Sequence, residues 1–136
     1  YQLTNVWSQV GAGIVGTLPE PVAETDFLKK VKQTFEVGCV MHSRQTGRLI
    51  QKVALCGGSG AFLLPNAVRA NADVFITGEV KYHDYFFYEK DILIAAIGHY
   101  ESEQYTKEIF YSILKEMFPR LTVEMTRVNT NPIKYL

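Results

Sequence analysis

From residue 51 onward the chain repeats one pattern three times: a short apolar stretch, a glycine-containing loop and a helical segment. The apolar stretches are "KVALC", "DVFIT" and "ILIAAI", and the loops that follow them are "GGSG", "GEVKYH" and "GHYESE". Consecutive strand–loop–helix units form right-handed crossovers, which make the strands parallel and cover both faces of the sheet with helices. Strands that are apolar on both faces agree with this arrangement. The pattern predicts an α/β fold, a three-layer α/β/α domain with a mostly parallel sheet.

The segments outside this repeat add further predicted elements. Apolar residues at helical spacing predict a helix over 23–35, and "VGCVMHS" predicts a short strand. A helix over 61–71 is compatible with Pro65 only if the proline lies in its first turn. Pro19 and Pro21 predict a loop after the opening strand-like stretches, and "LTVEM" predicts a last short strand. One or two strands from the ends of the chain are expected to be antiparallel.

Composition limits the class of protein. The 136 residues are 47% hydrophobic, which is enough for one domain with a substantial core. Fourteen basic and fourteen acidic residues cancel, so we expect no dedicated nucleic-acid surface. The apolar runs are too short to cross a bilayer, and no membrane partner is expected. Two cysteines, Cys39 and Cys56, are interpreted as free thiols in a reducing cytoplasm, the expected location.

The unusual polar residues cluster in the three loops that follow the predicted parallel strands. In an open parallel sheet, ligands bind outside the carboxyl ends of the strands. The loops "GGSG", "TGEVKYH" and "GHYESE" should all lie at that edge. Their convergence is the main functional signal of the sequence, and it predicts a site there.

The loop "GHYESE" carries candidate metal ligands. His99 ends the third strand and Glu103 follows four positions later in the first helical turn. An imidazole and a carboxylate on one turn suit a divalent cation such as zinc, manganese or iron. An alternative also fits the pattern: Glu101 and Glu103 are ordinary first-turn acids that favour the helix dipole, and His99 is a hydrogen-bonded loop residue.

The loop "TGEVKYH" carries candidate catalytic residues. Glu79 follows a glycine at a strand end, where a general base or a residue that orients a metal ligand is often found, and His83 lies four positions on. The alternative is a solvated loop acid and a histidine on a helix face.

The loop "GGSG" precedes a predicted helix, so its backbone N–H groups could bind a phosphate or carboxylate. Its spacing is neither that of a P-loop nor that of a dinucleotide fingerprint, and a plain tight turn is the alternative. The candidate anion-binding residues are Gly57, Gly58, Ser59 and Gly60.

Together, several motifs spread over nearly the whole chain resemble the C-terminal part of the Nif-three-like family, whose bacterial members are often labelled GTP cyclohydrolase I type 2 homologues. The motifs are "GAGIVG", "VALCGGSGAFL", "ADVFITGEVKYHD", "IGHYESEQYTKEI" and "NTNPIKY". The resemblance implies a centre of two divalent metals per full-length subunit, between two related α/β halves. The family's GH-x-x-x-E element falls on His99 and Glu103 and implies that both are metal ligands.

The same resemblance implies that the remaining ligands, an adjacent histidine pair and an aspartate, come from an N-terminal half that these residues do not contain. We expect residues 1–136 to be a single α/β domain from the C-terminal part of a larger protein, with residues 1–10 as the exit from an inserted middle domain. A metal-dependent hydrolase acting on a small phosphorylated or nucleotide substrate is the expected function. The alternative is a non-catalytic scaffold that binds metal and protein partners, and a homohexameric ring is expected in either case.

Overall fold

One five-stranded sheet organises the computed structural model, which describes residues 11–136. Residues 1–10, the expected exit from a middle domain, lie outside the described residues. The strands are β1 (Ile14–Ala23), β2 (Met41–His42), β3 (Leu49–Cys56), β4 (Val74–Thr77) and β5 (Leu93–Ala96). The helices are α1 (Glu24–Thr34), α2 (Leu64–Arg69), α3 (Tyr82–Tyr88), α4 (His99–Glu103) and α5 (Thr106–Met117), and a 3₁₀ helix (Gly60–Leu63) precedes α2.

The sheet has a parallel centre and antiparallel edges. Its strand order is β1-β3-β4-β5-β2. Strands β3, β4 and β5 are parallel, whereas β1 pairs with β3 and β2 pairs with β5 in the antiparallel sense. The predicted α/β fold with a mostly parallel core is therefore confirmed. Of the two antiparallel edge strands, β1 comes from the start of the chain, as expected, whereas β2 comes from its interior.

Helices cover both faces of the sheet. On one face α1 packs its apolar stripe, Phe27, Leu28 and Val31, against side chains of β3, β4 and β5. On the other face α2 and α3 pack against the alternate side chains of the same strands. All residues of β4 and β5 are buried, as expected for strands covered on both sides. The result is the predicted three-layer arrangement.

The helix predicted over 61–71 begins as the 3₁₀ helix and continues as α2. Pro65 lies at the start of α2, where a missing backbone N–H costs nothing, as the sequence required. None of the helices within residues 11–136 combines the length and the apolar character needed to cross a membrane.

The prediction of a loop at Pro19 and Pro21 is wrong, because both prolines lie inside β1. This strand forms an edge of the sheet, and its register against β3 is shifted between Thr17 and Val22. Proline is tolerated in such a place because an edge strand has N–H positions that pair with no neighbouring strand. The two prolines therefore interrupt the ladder without ending the strand.

The prediction of a strand at "LTVEM" is also wrong. Residues 119–136 contain no helix or strand. The edge beside β5 is taken by β2, so this part of the chain follows α4 and the first turns of α5 instead. Leu121 and Met125 stay 48% and 42% exposed, so burial does not hold the segment to a sheet.

Candidate metal centre

The three parallel strands end at the same level. Cys56 of β3 pairs in register with Thr77 of β4, and Thr77 pairs with Ala96 of β5. The loops that follow therefore start side by side at one edge of the sheet. This register brings together the glycine loop, Glu79 and His99, residues that lie 20 or more positions apart along the chain.

His99 lies between two carboxylates. Its Nδ1 is 3.0 Å from Oε1 of Glu79, and its Nε2 is 3.3 Å from Oε2 of Glu103. Residues four positions apart share one face of a helix, so α4 places Glu103 beside the imidazole. The three side chains are 44%, 56% and 53% exposed, in the order His99, Glu79 and Glu103, so the cluster opens to the surface. The candidate ligands His99 and Glu103 thus meet at an accessible rim.

Glu79 is itself held in place. The Ser59 hydroxyl donates a hydrogen bond of 2.5 Å to its Oε2. This bond makes the largest contribution to a lowered pKa of Glu79; burial opposes it, and the neighbouring His99 lowers the pKa further. A carboxylate that stays ionised accepts the Nδ1–H of His99 and fixes the ring, which leaves Nε2 on the side of Glu103.

The glycine loop is braced by helix α4 and by the end of strand β4. The Gly58 N–H donates to Oγ of Ser102 at 2.8 Å, and that hydroxyl donates to the His99 carbonyl at 2.8 Å. The Gly58 carbonyl accepts from the N–H of Gly78 at 2.9 Å and from the buried Thr77 hydroxyl at 3.2 Å. Ser102, which no sequence pattern singled out, therefore ties the glycine loop to the helix that carries His99 and Glu103.

Gly58 leaves room at the point where the two candidate ligands face the loop. A Cβ added there would overlap Oε1 of Glu103 and lie 3.5 Å from Nε2 of His99. The residue also has φ of +60°, a conformation that side chains disfavour. The lack of a side chain at Gly58 therefore lets the Glu103 carboxylate approach the loop beside His99. An imidazole nitrogen and a carboxylate oxygen placed together in this way are a donor pair suited to a divalent cation such as zinc, manganese or iron.

The anion-binding prediction for Gly57, Gly58, Ser59 and Gly60 stays a prediction, with less support. The Gly58 N–H already donates to Ser102, and the Gly60 N–H donates to the Thr77 hydroxyl at 3.1 Å. At most the amides of Gly57 and Ser59 remain for an anion. The loop's observed contacts instead brace the rim.

A cleft of about 530 Å³ opens beside His99, Glu79 and Glu103. Its inner wall is formed by these residues and by the start of α5, and its outer wall by the C-terminal segment that includes Val128, Asn131 and Ile133. Lys107 also lines the cleft, and within residues 11–136 it forms no ion pair. Glu103, four positions before it, is turned towards His99.

Glu101 lies on the opposite side of α4 and is not part of the cluster. It is only 8% exposed, and its Oε1 accepts a hydrogen bond of 2.8 Å from Nδ2 of Asn131. Its Oε2 has no hydrogen-bond partner in the part of the chain that the structure describes. The interpretation of Glu101 as a first-turn acid misses this contact, which joins positions 30 apart in the sequence.

His83 lies apart from the other candidates. It is exposed on α3 and stacks edge-on with Tyr82. Between His83 and the cluster of Glu79, His99 and Glu103, no hydrogen bond or ion pair joins the described residues. Residues 11–136 also contain no group of three or more His, Cys, Asp or Glu side chains arranged to hold a metal ion. The accessible rim therefore offers two metal-donor side chains, His99 and Glu103. Glu79 contacts His99 through the other ring nitrogen.

Comparison with known proteins gives consistent matches. Residues 2–132 match the family described as Duf34/NIF3 (NGG1p interacting factor 3). A Staphylococcus epidermidis protein named GTP cyclohydrolase 1 type 2 homolog is 31% identical over 136 residues, covering 96% of this chain and 37% of that protein. A Staphylococcus aureus protein of the same name is 30% identical over 134 residues, covering 95% of this chain and 36% of that protein.

Solved structures share the fold. Staphylococcus aureus protein SA1388 superposes with a TM-score of 0.79 at 25% identity, covering 91% of this chain and 42% of that one. A Bacillus cereus protein related to NIF3 gives a TM-score of 0.78 at 23% identity, covering 93% and 36%. The chain spans little more than a third of the length of the curated relatives. By its sequence match and its fold, the chain belongs to the Duf34/NIF3 (NGG1p interacting factor 3) family.

Proposed function

We propose that this chain contributes His99 and Glu103 as two ligands of a dinuclear divalent-metal centre in a larger metal-dependent hydrolase. The observation that carries the proposal is the approach of the His99 Nε2 and the Glu103 Oε2 to 3.3 Å at an open rim, opposite a glycine. The relatives' name, GTP cyclohydrolase 1 type 2 homolog, supports the hydrolase class. Two donors are too few for a tight site, so the remaining ligands come from elsewhere in the larger protein.

The residues of this chain have distinct roles in that site. Bound divalent cations would supply Lewis acidity and activate a water molecule for attack on the substrate. Glu79 accepts the Nδ1–H of His99 and so directs Nε2 to the metal side of the ring. Ser59 holds Glu79 through the second carboxylate oxygen. Glu79 is therefore assigned as the residue that orients His99, and a catalytic role for His83 remains a prediction.

Lys107 supports a substrate that carries a negative charge, such as a small phosphorylated molecule or a nucleotide. Lys107 lines the cleft, and the carboxylate one turn before it is engaged with His99. A lysine without a protein partner beside a metal site is suited to bind a phosphate or carboxylate group as a point charge. The cleft volume of about 530 Å³ lies in the range of small-molecule sites.

Metal content tests the ligand assignment. Glu103→Ala and His99→Ala in the larger protein should each lower the zinc or manganese retained after dialysis, measured by elemental analysis. Glu108→Ala is the matched control, because Glu108 is exposed on α5 and lines a different surface from His99 and Glu103. Unchanged metal stoichiometry in Glu103→Ala would refute the assignment.

Gly58→Ala tests the placement of the Glu103 carboxylate without removing a donor. The added methyl group would meet the Glu103 carboxylate and force a left-handed conformation on alanine. We expect loss of metal binding together with a destabilisation of about 3 kcal/mol. Gly38→Ala is the control, since nothing lies within 4 Å of a Cβ there. Equal metal binding in the two variants would show that metal binding does not depend on the carboxylate position that Gly58 allows.

A non-catalytic, ring-forming scaffold is the second candidate function, and exposed apolar side chains support the ring that both candidate functions share. Six of them on two helices have exposed fractions of 44–74%: Ile109, Phe110, Ile113 and Met117 of α5, and Phe86 and Phe87 of α3. Apolar surface of this extent is typical of protein–protein contacts, and it supports a homo-oligomer, which we propose to be a hexameric ring. A metal-loaded protein that is a hexamer by light scattering yet inactive on nucleotide and phosphoester panels would favour the scaffold.

A further inference from the structure

We infer that the C-terminal segment 126–133 is the outer wall of the ligand cleft and that the hydrogen bond between Glu101 and Asn131 holds it there. Its role towards a ligand rests on the proposed function, because the ligand would lie between this wall and the His99–Glu103 pair. Asn131 and Glu101 are thereby assigned as positioning residues. Neither of them is proposed to touch a metal.

The contact joins the wall to the helix that carries the candidate ligands. Glu101 occupies the middle of α4, with His99 and Glu103 two positions away on either side. Its carboxylate is buried, and Asn131 is its one hydrogen-bond donor within the described residues. Behind it, a Cβ on Gly98 would overlap the same carboxylate, so the helix start is closely packed around Glu101. The wall is therefore fixed directly to α4.

Asn131 also shapes the wall itself. Its Oδ1 accepts the Ile133 N–H at 3.0 Å, and its N–H donates to Oδ1 of Asn129 at 2.8 Å. Val128 and Ile133 line the cleft although they are 69% and 49% exposed, so burial holds them only weakly. One well-placed hydrogen bond to a buried carboxylate can therefore decide whether the segment stays closed over the cleft.

The most specific test exchanges the donor and the acceptor of the hydrogen bond between Glu101 and Asn131. Asn131→Asp keeps the oxygen that accepts the Ile133 N–H, but it replaces the donor to Glu101 with a second carboxylate oxygen and so adds charge repulsion. Asn131→Leu removes the donor without adding charge. In the double variant Glu101→Gln with Asn131→Asp, the glutamine amide can donate to the new aspartate and restore the contact. Glu101→Gln with Asn131→Leu restores nothing and serves as the matched control.

Two measurements on the metal-free chain report on the wall. Tryptic cleavage after Arg127 under native conditions should be faster by roughly tenfold in Asn131→Asp and Asn131→Leu, because a hydrogen bond to a charged group is lost. Modification of His99 by diethylpyrocarbonate should rise relative to His83, which lies on α3 away from the cleft. The reversed pair should return both rates towards wild type, whereas the control double variant should not.

A general loss of stability would lower the free energy of unfolding of Asn131→Asp and Asn131→Leu in a denaturant titration by enough to explain the faster rates, and that result would overturn the inference. Unchanged rates in both single variants, or failure of the reversed pair to restore them, would do the same. The proposed function is tested separately by the metal content of Glu103→Ala. The wall is supported if the reversed pair restores the rates while Glu103→Ala keeps its metal, and only the ligand assignment then fails.

Discussion

Two buried glutamates, Glu24 and Glu101, each hold an irregular segment to the body of the domain, but they do so with different numbers of hydrogen bonds. Glu24 is 4% exposed and Glu101 is 8% exposed. The Glu24 Oε1 accepts from the Thr46 N–H at 3.1 Å and the Thr46 hydroxyl at 2.8 Å, and its Oε2 accepts from the Gly47 N–H at 2.8 Å. Glu101 has a single donor in the described residues, Asn131.

The number of hydrogen bonds distinguishes a contact that fixes its loop from a contact that allows its segment to move. A buried carboxylate with both oxygens hydrogen-bonded fixes the loop between β2 and β3, and displacing that loop would leave an unpaired charge in the interior. The segment held by Glu101 loses one hydrogen bond when it moves, and most of its apolar side chains are already exposed. The wall beside the candidate metal centre should therefore move at a smaller cost than the loop held by Glu24, because one hydrogen bond to a buried carboxylate is lost instead of three.

Among the substitutions that test this comparison of the two glutamates, the largest effect is expected at Glu24. Glu24→Gln keeps one acceptor oxygen but turns an amide group towards the Gly47 N–H, so that a donor faces a donor. We expect the free energy of unfolding at pH 7 to fall by about 2 kcal/mol, measured by denaturant titration. Glu20→Gln is the control, since Glu20 is exposed on β1. Equal effects of the two substitutions would contradict the assignment of Glu24 as a structural anchor.

The pH dependence of the stability difference between wild type and Glu24→Gln tests whether the charge of Glu24 causes that difference. Burial alone would raise the pKa of Glu24, but the hydrogen bonds from the Gly47 and Thr46 N–H groups and the Thr46 hydroxyl outweigh it and keep the pKa below its usual value of 4.5. A lowered folded-state pKa gives stability that is fully present above the unfolded value and is lost as pH falls through the folded one. The gap between wild type and Glu24→Gln should stay constant from neutral pH down to about pH 5 and shrink below it. A stability difference that widens on acidification would contradict the lowered pKa of Glu24.

The parts of the fold that depend on local pattern could be predicted from the sequence. Three apolar strands, each followed by a glycine loop and a helix, determine parallel pairing, and parallel pairing determines that the loops share one edge. The meeting of His99 with Glu103 follows from helix periodicity once α4 is recognised. The contact of His99 with Glu79 can be predicted from the rule that neighbouring parallel strands end together.

The remaining features depend on tertiary contacts that leave no local signal. Pro19 and Pro21 read as a loop because their tolerance depends on β1 being an edge strand, which only the strand order reveals. Ser102 and Asn131 are ordinary polar residues in the sequence, and each acquires its role from a partner 30 or more positions away. The donor at Asn131 also explains why Glu101, between two candidate ligands, points away from them.

An intermediate effect is expected at Thr46, which supplies two of the three donors to Glu24. Thr46→Val removes the hydroxyl but keeps the backbone N–H, so one hydrogen bond to the carboxylate is lost and two remain. The free energy of unfolding should fall by about 1 kcal/mol. Thr46→Ser retains the hydroxyl and should stay closer to wild type. If Thr46→Val is as damaging as Glu24→Gln, the loop depends on Thr46 for more than this hydrogen bond.

The smallest effect on global stability is expected from Glu101→Gln. The glutamine Oε1 can still accept the Asn131 amide, and the change removes a buried charge whose second oxygen has no partner in the described residues. These two consequences oppose each other, so the free energy of unfolding should change by less than about 0.5 kcal/mol. The measurement is the same denaturant titration, made beside Glu24→Gln at pH 7. A loss as large as that of Glu24→Gln would mean that Glu101 anchors its segment as firmly as Glu24 does, and the contrast between a fixed loop and a movable wall would no longer hold.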